Sequence, residues 1–535
     1  MRITNNMIMK NTKLNINSNK QNVNTLNNQM SSQKKIDKPS QDPVIAIRAL
    51  RLRSSLSQIN QYYEKNIPDA QSWMEVTETA LSNMRKVLTD IHTQCVNGAT
   101  DTLAEDDRDT ILNQIQALAD QVYAEGNADY AGRTVFTGYK TNTRLTFSSA
   151  EADTSYNISQ YFDASELEEH TYDYNGMKTP TTQELTDAIA NGTAPKDPSA
   201  EKVQRIRLAY DGLSDLKSAS YRYSTKAADG SVSDVTVDLK AGTMTNVTTA
   251  ANGTVTMNTV ATGYNYTEKT TGQLEADGYQ IGANEVVYNK ETGELLFGTQ
   301  IANEINYNGA KLSVSYDKTG FSAGDLKPEN YYDCTNTTDP LHPVEYKNYD
   351  ENQKFIEEEI NYTVAMNQTI TVNTLANNVF DSSIGRDVNE LLDAVKSAVA
   401  AHDTVKDIKA MMKEAQYSSP EMQAKLKEYL AAAERQRDYA DDYMKKMYSK
   451  GIAKFDGYME KVNLAITDVG NRGDRLDIIK NRMSNQQYTV KNLKSTNEDK
   501  ELSDIVIDYT SAYTAYQSSL QAAAKVEKQT LLDYL

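Results

Sequence analysis

Apolar residues near the C-terminal end of the chain recur at alternating steps of three and four. This alternation is the pattern of a coiled-coil seam, and it is sustained for more than three heptads. A similar rhythm over residues 476–493 has a different phase, so we expect a bend or skip near residues 495–499, which are rich in capping residues. The pattern predicts long helices that pack lengthwise. The seam comprises Leu502, Ile505, Tyr509, Ala512, Tyr516, Ser519, Ala523 and Val526.

The N-terminal part of the chain also has helical periodicity. Asp42 can cap the start of a helix, and Pro43 suits its first position, where an N–H is not needed. Pro68 predicts a kink or two consecutive helices, and Gly98 marks the end. A second helix begins with the acidic residues 105–107, which suit the positive end of a helix dipole. We expect this second helix to return antiparallel to the first.

The middle of the chain, residues 141–360, predicts strands. It is rich in Tyr, Thr, Val and Asn with period-two alternation, and helical spacing resumes only after it. A short helix is expected near residues 182–190 and a hairpin with a longer loop around Thr292-Gly293. Further hairpin or turn signals are Asp211-Gly212, Asp229-Gly230, Asn252-Gly253, Asp277-Gly278 and Asn308-Gly309.

The order of helix, strand and helix predicts an α + β multidomain protein. Both chain ends form a discontinuous bundle of long helices, and a β-rich outer region is inserted between them. The first forty residues are rich in asparagine, which lowers helix propensity, so we expect this segment to be loose in the isolated monomer. The predicted divisions are an assembly segment over 1–42, half of a helical rod domain over 43–140, the variable insertion over 141–360, a return segment with helices over 361–475, and the long C-terminal helices over 476–535.

Composition and charge narrow the classes of function. The net charge of −18 repels phosphates, which disfavours nucleic-acid binding. The chain contains no apolar run of about 18 residues, so we predict no membrane-spanning helix. The first residues lack the apolar core of a secretory signal, so we expect no cleaved signal peptide. Cys95 and Cys334 are more typical of inert thiols than of a disulfide or metal pair.

Candidate catalytic chemistry is weak throughout. The four histidines are scattered and form no recognisable metal-binding pair, and we predict no metal and no cofactor. Paired carboxylates such as Asp106-Asp107 are better explained by the helix dipole than by acid-base catalysis. There is no nucleophile elbow, P-loop or dinucleotide-binding glycine pattern. The chain is therefore not expected to be an enzyme.

Motifs at both ends resemble the flagellin superfamily, and specifically its hook-filament junction group, the hook-associated proteins of type 3. The segment 31–43 resembles the group signature SSGKKI…PSDDP, although Gln33 replaces the usual glycine and Gln41 the usual first aspartate. Residues 132–141 and the ending 531–535 are similar to further motifs of this group. The matching signature residues are Ser31, Ser32, Lys34, Lys35, Ile36, Pro39, Ser40, Asp42 and Pro43.

The resemblance implies a structural subunit of the bacterial flagellum. Such a subunit joins the hook, through hook-associated protein 1, to the flagellin filament and forms a ring with copies of itself. It leaves the cell through the flagellar type III apparatus and lies at the extracellular hook-filament junction. Before export, a cytoplasmic chaperone covers the C-terminal helices. The alternatives are flagellin itself, or a surface adhesin or glycan-binding protein that uses the β-rich region.

The same resemblance implies that residues of both chain ends form the assembly interface. On periodicity alone, a helix that packs only within its own chain explains the C-terminal seam equally well. The predicted interface residues are Ile3, Met7, Val23, Leu26, Met30, Leu502, Ile505, Tyr509, Ala512, Tyr516, Ala523, Val526, Leu531 and Leu532.

Overall fold

The chain folds into two compact units, each built from separate stretches of sequence. A computed structural model of the protein describes residues 5–100, 105–174, 176–274, 279–351 and 353–528. The first unit comprises the described residues of Met1–Ser72, Asn361–Thr371 and Arg472–Leu535, and the second those of Trp73–Ile360 and Val372–Asn471. The boundaries of these two units differ from the boundaries that the sequence predicts for the rod domain and the insertion. One reason is that a long helix continues past residue 475, where no local signal ends it.

Helices dominate both ends of the chain, and the periodicity predicts the long ones that follow residue 42. Those described are α1 (Asn5–Ser32), α2 (Pro43–Gln61), α3 (Ile67–Gly98), α4 (Glu105–Glu125), α5 (Thr182–Asn191), α6 (Thr271–Leu274), α7 (Thr299–Asn308), α8 (Ser383–Met411), α9 (Pro420–Glu498) and α10 (Leu502–Lys528). None of them combines the length and the hydropathy that a membrane span requires. The break between α9 and α10 lies at residues 499–501, where the phase change predicts it.

Strands fill the middle of the chain and form two larger sheets. They are β1 (Asp129–Tyr130), β2 (Arg133–Thr134), β3 (Ser155–Asp163), β4 (Glu168–Tyr174), β5 (Ser199–Arg207), β6 (Leu216–Lys226), β7 (Val232–Asp238), β8 (Thr243–Thr249), β9 (Val255–Ala261), β10 (Asn265–Glu268), β11 (Glu285–Asn289), β12 (Glu294–Phe297), β13 (Lys311–Thr319), β14 (Asp333–Asn336), β15 (Val344–Tyr346), β16 (Asn361–Ala365) and β17 (Gln368–Thr371). The 8-stranded sheet has the order β15-β14-β3-β13-β6-β7-β8-β9, and the 5-stranded sheet has the order β10-β11-β12-β5-β4. The α + β fold class is confirmed.

Pro68 marks a junction between two consecutive helices, as predicted. A single π-helical turn, Tyr62–Asn66, joins α2 to α3, and the Ile67 N–H bonds to the carbonyl of Tyr62. Proline lacks an N–H and its ring crowds the carbonyl four residues earlier, so a wider turn before it relieves both problems. The sequence predicts the interruption but not its π geometry.

Most turn signals lie where the pattern places them. Gly230 and Gly253 adopt left-handed φ angles of 85° and 83° in the β6–β7 and β8–β9 hairpins. The hairpin around Gly293 is confirmed as β11–β12, and the short helix is confirmed as α5. Gly309 ends helix α7 as a left-handed cap instead of closing a hairpin. The Asp277-Gly278 signal lies outside the described residues.

The core of the second unit contains a bundle of α3, α4, α8 and α9 beside the sheets. The ring of Tyr448 in α9 lies so close to Gly98 that a Cβ there would stand 2.3 Å from it. The side chain of Asn83 in α3 bonds to Glu125 near the end of α4, which places the two helices antiparallel. Burial raises the pKa of the Cys95 thiol to about 12, and Cys334 is buried as well. Burial thus favours the protonated form of both thiols.

A buried ionic network fixes the 5-stranded sheet to helix α8. Arg205 is 1% exposed and donates to Glu294 at 2.6 Å and to Glu390 at 2.5 Å. Arg207 donates to Glu390 at 2.9 Å and also pairs with Asp387. Each charge has a partner of opposite sign, so removing one side chain would leave a buried charge uncompensated. Residues this far apart in sequence give no local signal of such a network.

Candidate assembly surface

Helices α1 and α10 of the first unit pack side by side and run antiparallel. The side chain of Asn19 donates to the Ser519 hydroxyl at 2.6 Å, and residues Lys34 and Asp499 form a bridge at the end of the pair. Side chains at alternating steps of three and four are buried or half-buried between the helices. They are Thr12, Ile16, Asn19, Val23, Leu26 and Met30 on α1, and Ile505, Tyr509, Ala512, Tyr516, Ser519 and Ala523 on α10.

Six of the eight predicted seam residues on α10, from Ile505 to Ala523, therefore face α1 of the same chain, whereas Leu502 is exposed. Val23, Leu26 and Met30 are the predicted counterparts of the seam on α1, whereas Thr12, Ile16 and Asn19 were missed. Two of those three are polar, so a search for apolar positions passes over them. A polar pair such as Asn19 and Ser519 fixes the register of two helices at some cost in stability. The prediction that the first forty residues are loose in the isolated monomer stays a prediction.

The loop between α1 and α2 packs against the junction between α9 and α10. The Lys35 N–H bonds to the Glu498 carbonyl at 2.8 Å, and the Lys500 N–H bonds to the Gln33 carbonyl at 3.0 Å. Arg53 donates two hydrogen bonds, of 2.8 Å and 2.6 Å, to the Glu498 carboxylate. These hydrogen bonds lower the pKa of Glu498, since they favour its charged form. The α1–α2 loop and the α9–α10 junction thus stabilise each other.

The signature residues build this loop. Asp42 caps α2 by accepting from the N–H groups of Val44 at 2.9 Å and Ile45 at 3.1 Å, and Pro43 follows as the first helical residue. Gln41 accepts from the Asp37 N–H at 2.7 Å, so the side chain that replaces the usual aspartate still closes the loop. Among the other signature residues, Ser31 and Ser32 end α1, Lys34 pairs with Asp499, Lys35 bonds to the Thr496 carbonyl, Ile36 is half-buried, and Pro39 and Ser40 lie in the turn.

Gln33 adopts a φ of 53°, which explains why glycine is usual at this position. A left-handed conformation costs a residue with a Cβ roughly 1–2 kcal/mol, whereas glycine adopts it freely. The exposed Gln33 side chain leaves room for the change. Gln33→Gly should therefore stabilise the α1–α2 loop by about 0.5–1 kcal/mol, once the entropy cost of ordering glycine is subtracted. Slower hydrogen exchange of the Lys35 and Lys500 amides would show it.

Gln33→Ala is the matched control for this substitution, because it removes the same side chain but keeps the Cβ. It should leave the exchange of both amides unchanged. Equal exchange rates in Gln33→Gly and the unaltered chain would refute the strain that we attribute to Gln33.

Helix α10 carries a second apolar line, which α1 does not cover. Its members follow each other at steps of four and seven residues, so they share one face of the helix. They are between 42% and 47% exposed, and the aromatic ring of Tyr513 stacks on that of Tyr509. We call this line the outer stripe: Leu502, Val506, Tyr513 and Leu520. An exposed line of large apolar side chains is unusual for a protein that acts alone.

Apart from Leu502, which belongs to both, the residues of the outer stripe each follow a residue of the predicted seam by one position. Of the members of the stripe, only Leu502 was among the predicted interface residues. The sequence analysis missed Val506, Tyr513 and Leu520 because it followed only one line of apolar residues. A second line, shifted by one position, is visible in the same segment. Met7 and Leu14 on α1 are exposed as well. Ile3, Leu531 and Leu532 lie outside the described residues, and Val526 lies in α10.

A groove in the first unit adds to the apolar surface. It encloses about 710 Å³ between α2, the β16–β17 hairpin and the segment of α9 around residue 486. Ile59, Tyr62, Met483 and Val490 line it, and Met366 at the tip of the hairpin is 79% exposed. Among the described residues, no cluster of His, Cys, Asp and Glu side chains could hold a metal ion. The candidate surface of this unit is thus suited to packing against protein.

A model of a known protein family matches the N-terminal part of the chain. Residues 3–141 match the bacterial flagellin N-terminal helical region. Flagellar hook-associated protein 3 of Escherichia coli is 34% identical over 116 residues, which are 22% of this chain and 36% of that protein. The protein of the same name from Salmonella typhimurium is 32% identical over 117 residues, which are 22% of this chain and 37% of that protein. The chain thus spans little more than a third of the length of these curated relatives.

A crystal structure of flagellar hook associated protein-3 from Legionella pneumophila is also similar. The match covers 83% of this chain and 97% of that one, with a TM-score of 0.29 and 10% sequence identity.

Proposed function

We propose that this chain, which carries a flagellin N-terminal helical region and resembles hook-associated protein 3, is a non-enzymatic structural subunit of the bacterial flagellum. In this proposal it joins the hook to the flagellin filament as a mechanical adaptor. The observation that carries the proposal is the outer stripe, an apolar line on a long helix whose side chains stay 42–47% exposed among the described residues. A subunit that packs lengthwise against neighbours requires such a surface.

The stripe suits contact between subunits arranged around an axis. Neighbours in a ring meet through two different patches, because one rotation relates each subunit to the next. The outer stripe of one copy would pack on α1 or α2 of the next, where Leu14, Val44 and Ile47 are exposed. Hook-associated protein 1 would bind on the hook side and flagellin on the filament side. Both neighbours would then be helical proteins that offer the same kind of surface.

Export belongs to the same proposal. The subunit would leave the cell unfolded through the flagellar type III apparatus, without a cleaved signal peptide, and fold at the extracellular tip. Before export, the exposed line on α10 would associate with other apolar surfaces in the cytoplasm. A chaperone that covers the C-terminal helices would prevent this.

Immunogold labelling of intact flagella tests the proposed position. An antibody against the full chain should give one band at the hook tip, because each flagellum has a single junction. Parallel labelling with an antibody against flagellin provides the reference, and cells that lack the gene provide the control for specificity. Label along the whole filament would instead identify the chain as flagellin, which the match of residues 3–141 to the flagellin N-terminal region allows. Flagella without label would contradict a flagellar role.

A further inference from the structure

Strand β9 forms an exposed edge of the 8-stranded sheet. All seven of its residues are exposed to solvent, and its pairing with β8 is regular from Thr243↔Ala261 to Thr249↔Val255. Met257 is 71% exposed and Val255 is 60% exposed. An edge of this kind presents unpaired N–H and carbonyl groups that can bind another strand.

The hydrogen bonds on either side of β9 show which backbone groups point outward. The Ala250 N–H bonds to the Thr254 carbonyl, and the Thr262 N–H bonds to the Gly242 carbonyl, both at 2.9 Å. Residues of an antiparallel strand bond alternately to one side and to the other. Even-numbered residues of β9 therefore bond to β8. The residues whose backbone groups face away from the sheet are Val255, Met257, Thr259 and Ala261.

This edge lacks the devices that normally prevent strand pairing. Proteins protect sheet edges with charged side chains, prolines, bulges or very short strands. From Ala241 to Thr267 the sequence contains no charged residue and no proline, and the β8–β9 ladder has no bulge. The opposite edge, β15, has three residues and is flanked by Pro343 and Lys347. Strand β4, an edge of the other sheet, carries Glu168, Glu169 and Asp173.

We propose that β9 pairs with β9 of a second copy of this chain, in an antiparallel ladder centred on Asn258. In this register Met257 faces Thr259 of the second copy, and Val255 faces Ala261, so all outward-facing groups find partners. The two Asn258 side chains meet at the centre, where their amides can bond to each other. This pairing goes beyond the proposed function and involves the second unit only.

Charge favours a second copy as the occupant. The chain has a net charge of −18, so two copies repel each other over most of their surfaces. The segment from Ala241 to Thr267 is a neutral strip on this acidic molecule. A basic partner would bind better to the acidic surface elsewhere. The strip thus places no like charges opposite each other when two copies pair.

Hydrogen exchange of the full chain at two protein concentrations tests the pairing. The chain used carries Tyr513→Asp and Leu520→Asp, so that association through the helices of the first unit does not contribute to the exchange rates. The amides of Met257 and Thr259 should exchange more slowly at the higher concentration, whereas Thr256 and Asn258 should be protected at both. Fast exchange of the first two amides at every concentration would overturn the proposal.

Thr259→Pro and Thr259→Ala form a matched pair of variants. Proline removes one outward N–H from each copy and leaves the bonds to β8, so the dimer should dissociate about thirtyfold more readily. Alanine keeps the N–H and should associate normally in sedimentation velocity. If the proline variant unfolds, Met257→Glu replaces it, since two new carboxylates beside the pair should weaken association in a salt-dependent way. Equal association of the proline and alanine variants, or of Met257→Glu and the parent at low salt, would refute the pairing. None of these results depends on flagellar incorporation.

Discussion

Chains that carry Tyr513→Asp together with Leu520→Asp should be secreted normally but be absent from flagella. Both side chains belong to the outer stripe and are partly exposed in the isolated chain. In an assembled ring each aspartate would be enclosed in an apolar contact without a counter-charge, which costs about 3–5 kcal/mol. The isolated chain should keep its fold, because exposed substitutions usually change stability by less than about 0.5 kcal/mol. Quantifying the chain in culture supernatants and in purified flagella measures the effect.

Ser511→Asp together with Ser518→Asp is the matched control. These serines have the same spacing of seven residues on α10, and they are exposed but lie off the stripe. The control adds the same charge to the same helix and should incorporate normally. Normal incorporation of the Tyr513→Asp, Leu520→Asp chain would remove the basis of the assembly proposal, and its failure to be secreted would point to an effect on export instead.

Arg205→Met should destabilise the second unit by about 3–5 kcal/mol, since it leaves Glu294 buried without its cation and takes one of its two arginines from Glu390. Denaturant unfolding followed by the fluorescence of Trp73 measures this, because Trp73 is the single tryptophan and is fully buried in this unit. Lys202→Met on the same strand is the control. Its ion pair with Glu169 is exposed, so the change should cost less than about 1 kcal/mol. Similar losses in both variants would contradict the role assigned to burial.

Acid should weaken the ion pairs of Glu168 beside this network, which it forms with Lys454 at 2.9 Å, Lys450 at 3.1 Å and Arg205 at 3.6 Å. Burial alone would raise the pKa of Glu168, but Lys454, Arg207 and Lys450 outweigh it and lower this pKa to about 2. A carboxyl group with a lowered pKa stabilises the folded state above its ordinary value, 4.5, and this stabilisation is lost as the pH falls towards 2. Stability followed by Trp73 should therefore fall over this range, and Glu168→Gln should make the fall shallower. An equal fall in both proteins would exclude Glu168 as a source.

Local signals in the sequence determine much of the fold. Asp42 and Pro43 mark the start of α2 because capping depends on neighbouring residues only. Pro68 likewise marks a junction, and Gly230 and Gly253 mark hairpins, because each residue restricts or permits specific backbone angles. By contrast, Gly309 ends a helix, since the same left-handed angle serves both a turn and a helix cap.

The candidate site is only partly predictable. Heptad spacing finds the α10 seam, but it does not tell which helix will cover it. The ion pair between Arg53 and Glu498 joins residues far apart in sequence, and neither carries a local signal of the other. The outer stripe became distinct only when the structure showed that α1 covers one face of α10 and leaves the next face exposed.

Photo-crosslinking in intact flagella tests directly whether the outer stripe contacts neighbouring subunits. A photoreactive amino acid at position 513, on the outer stripe, should yield covalent adducts with neighbouring flagellar subunits. The same probe at position 516, which faces α1 of its own chain, should yield mainly products within one chain. We expect intermolecular adducts from position 513 and few from position 516. Only single-chain species from position 513, in flagella that contain the labelled protein, would contradict it.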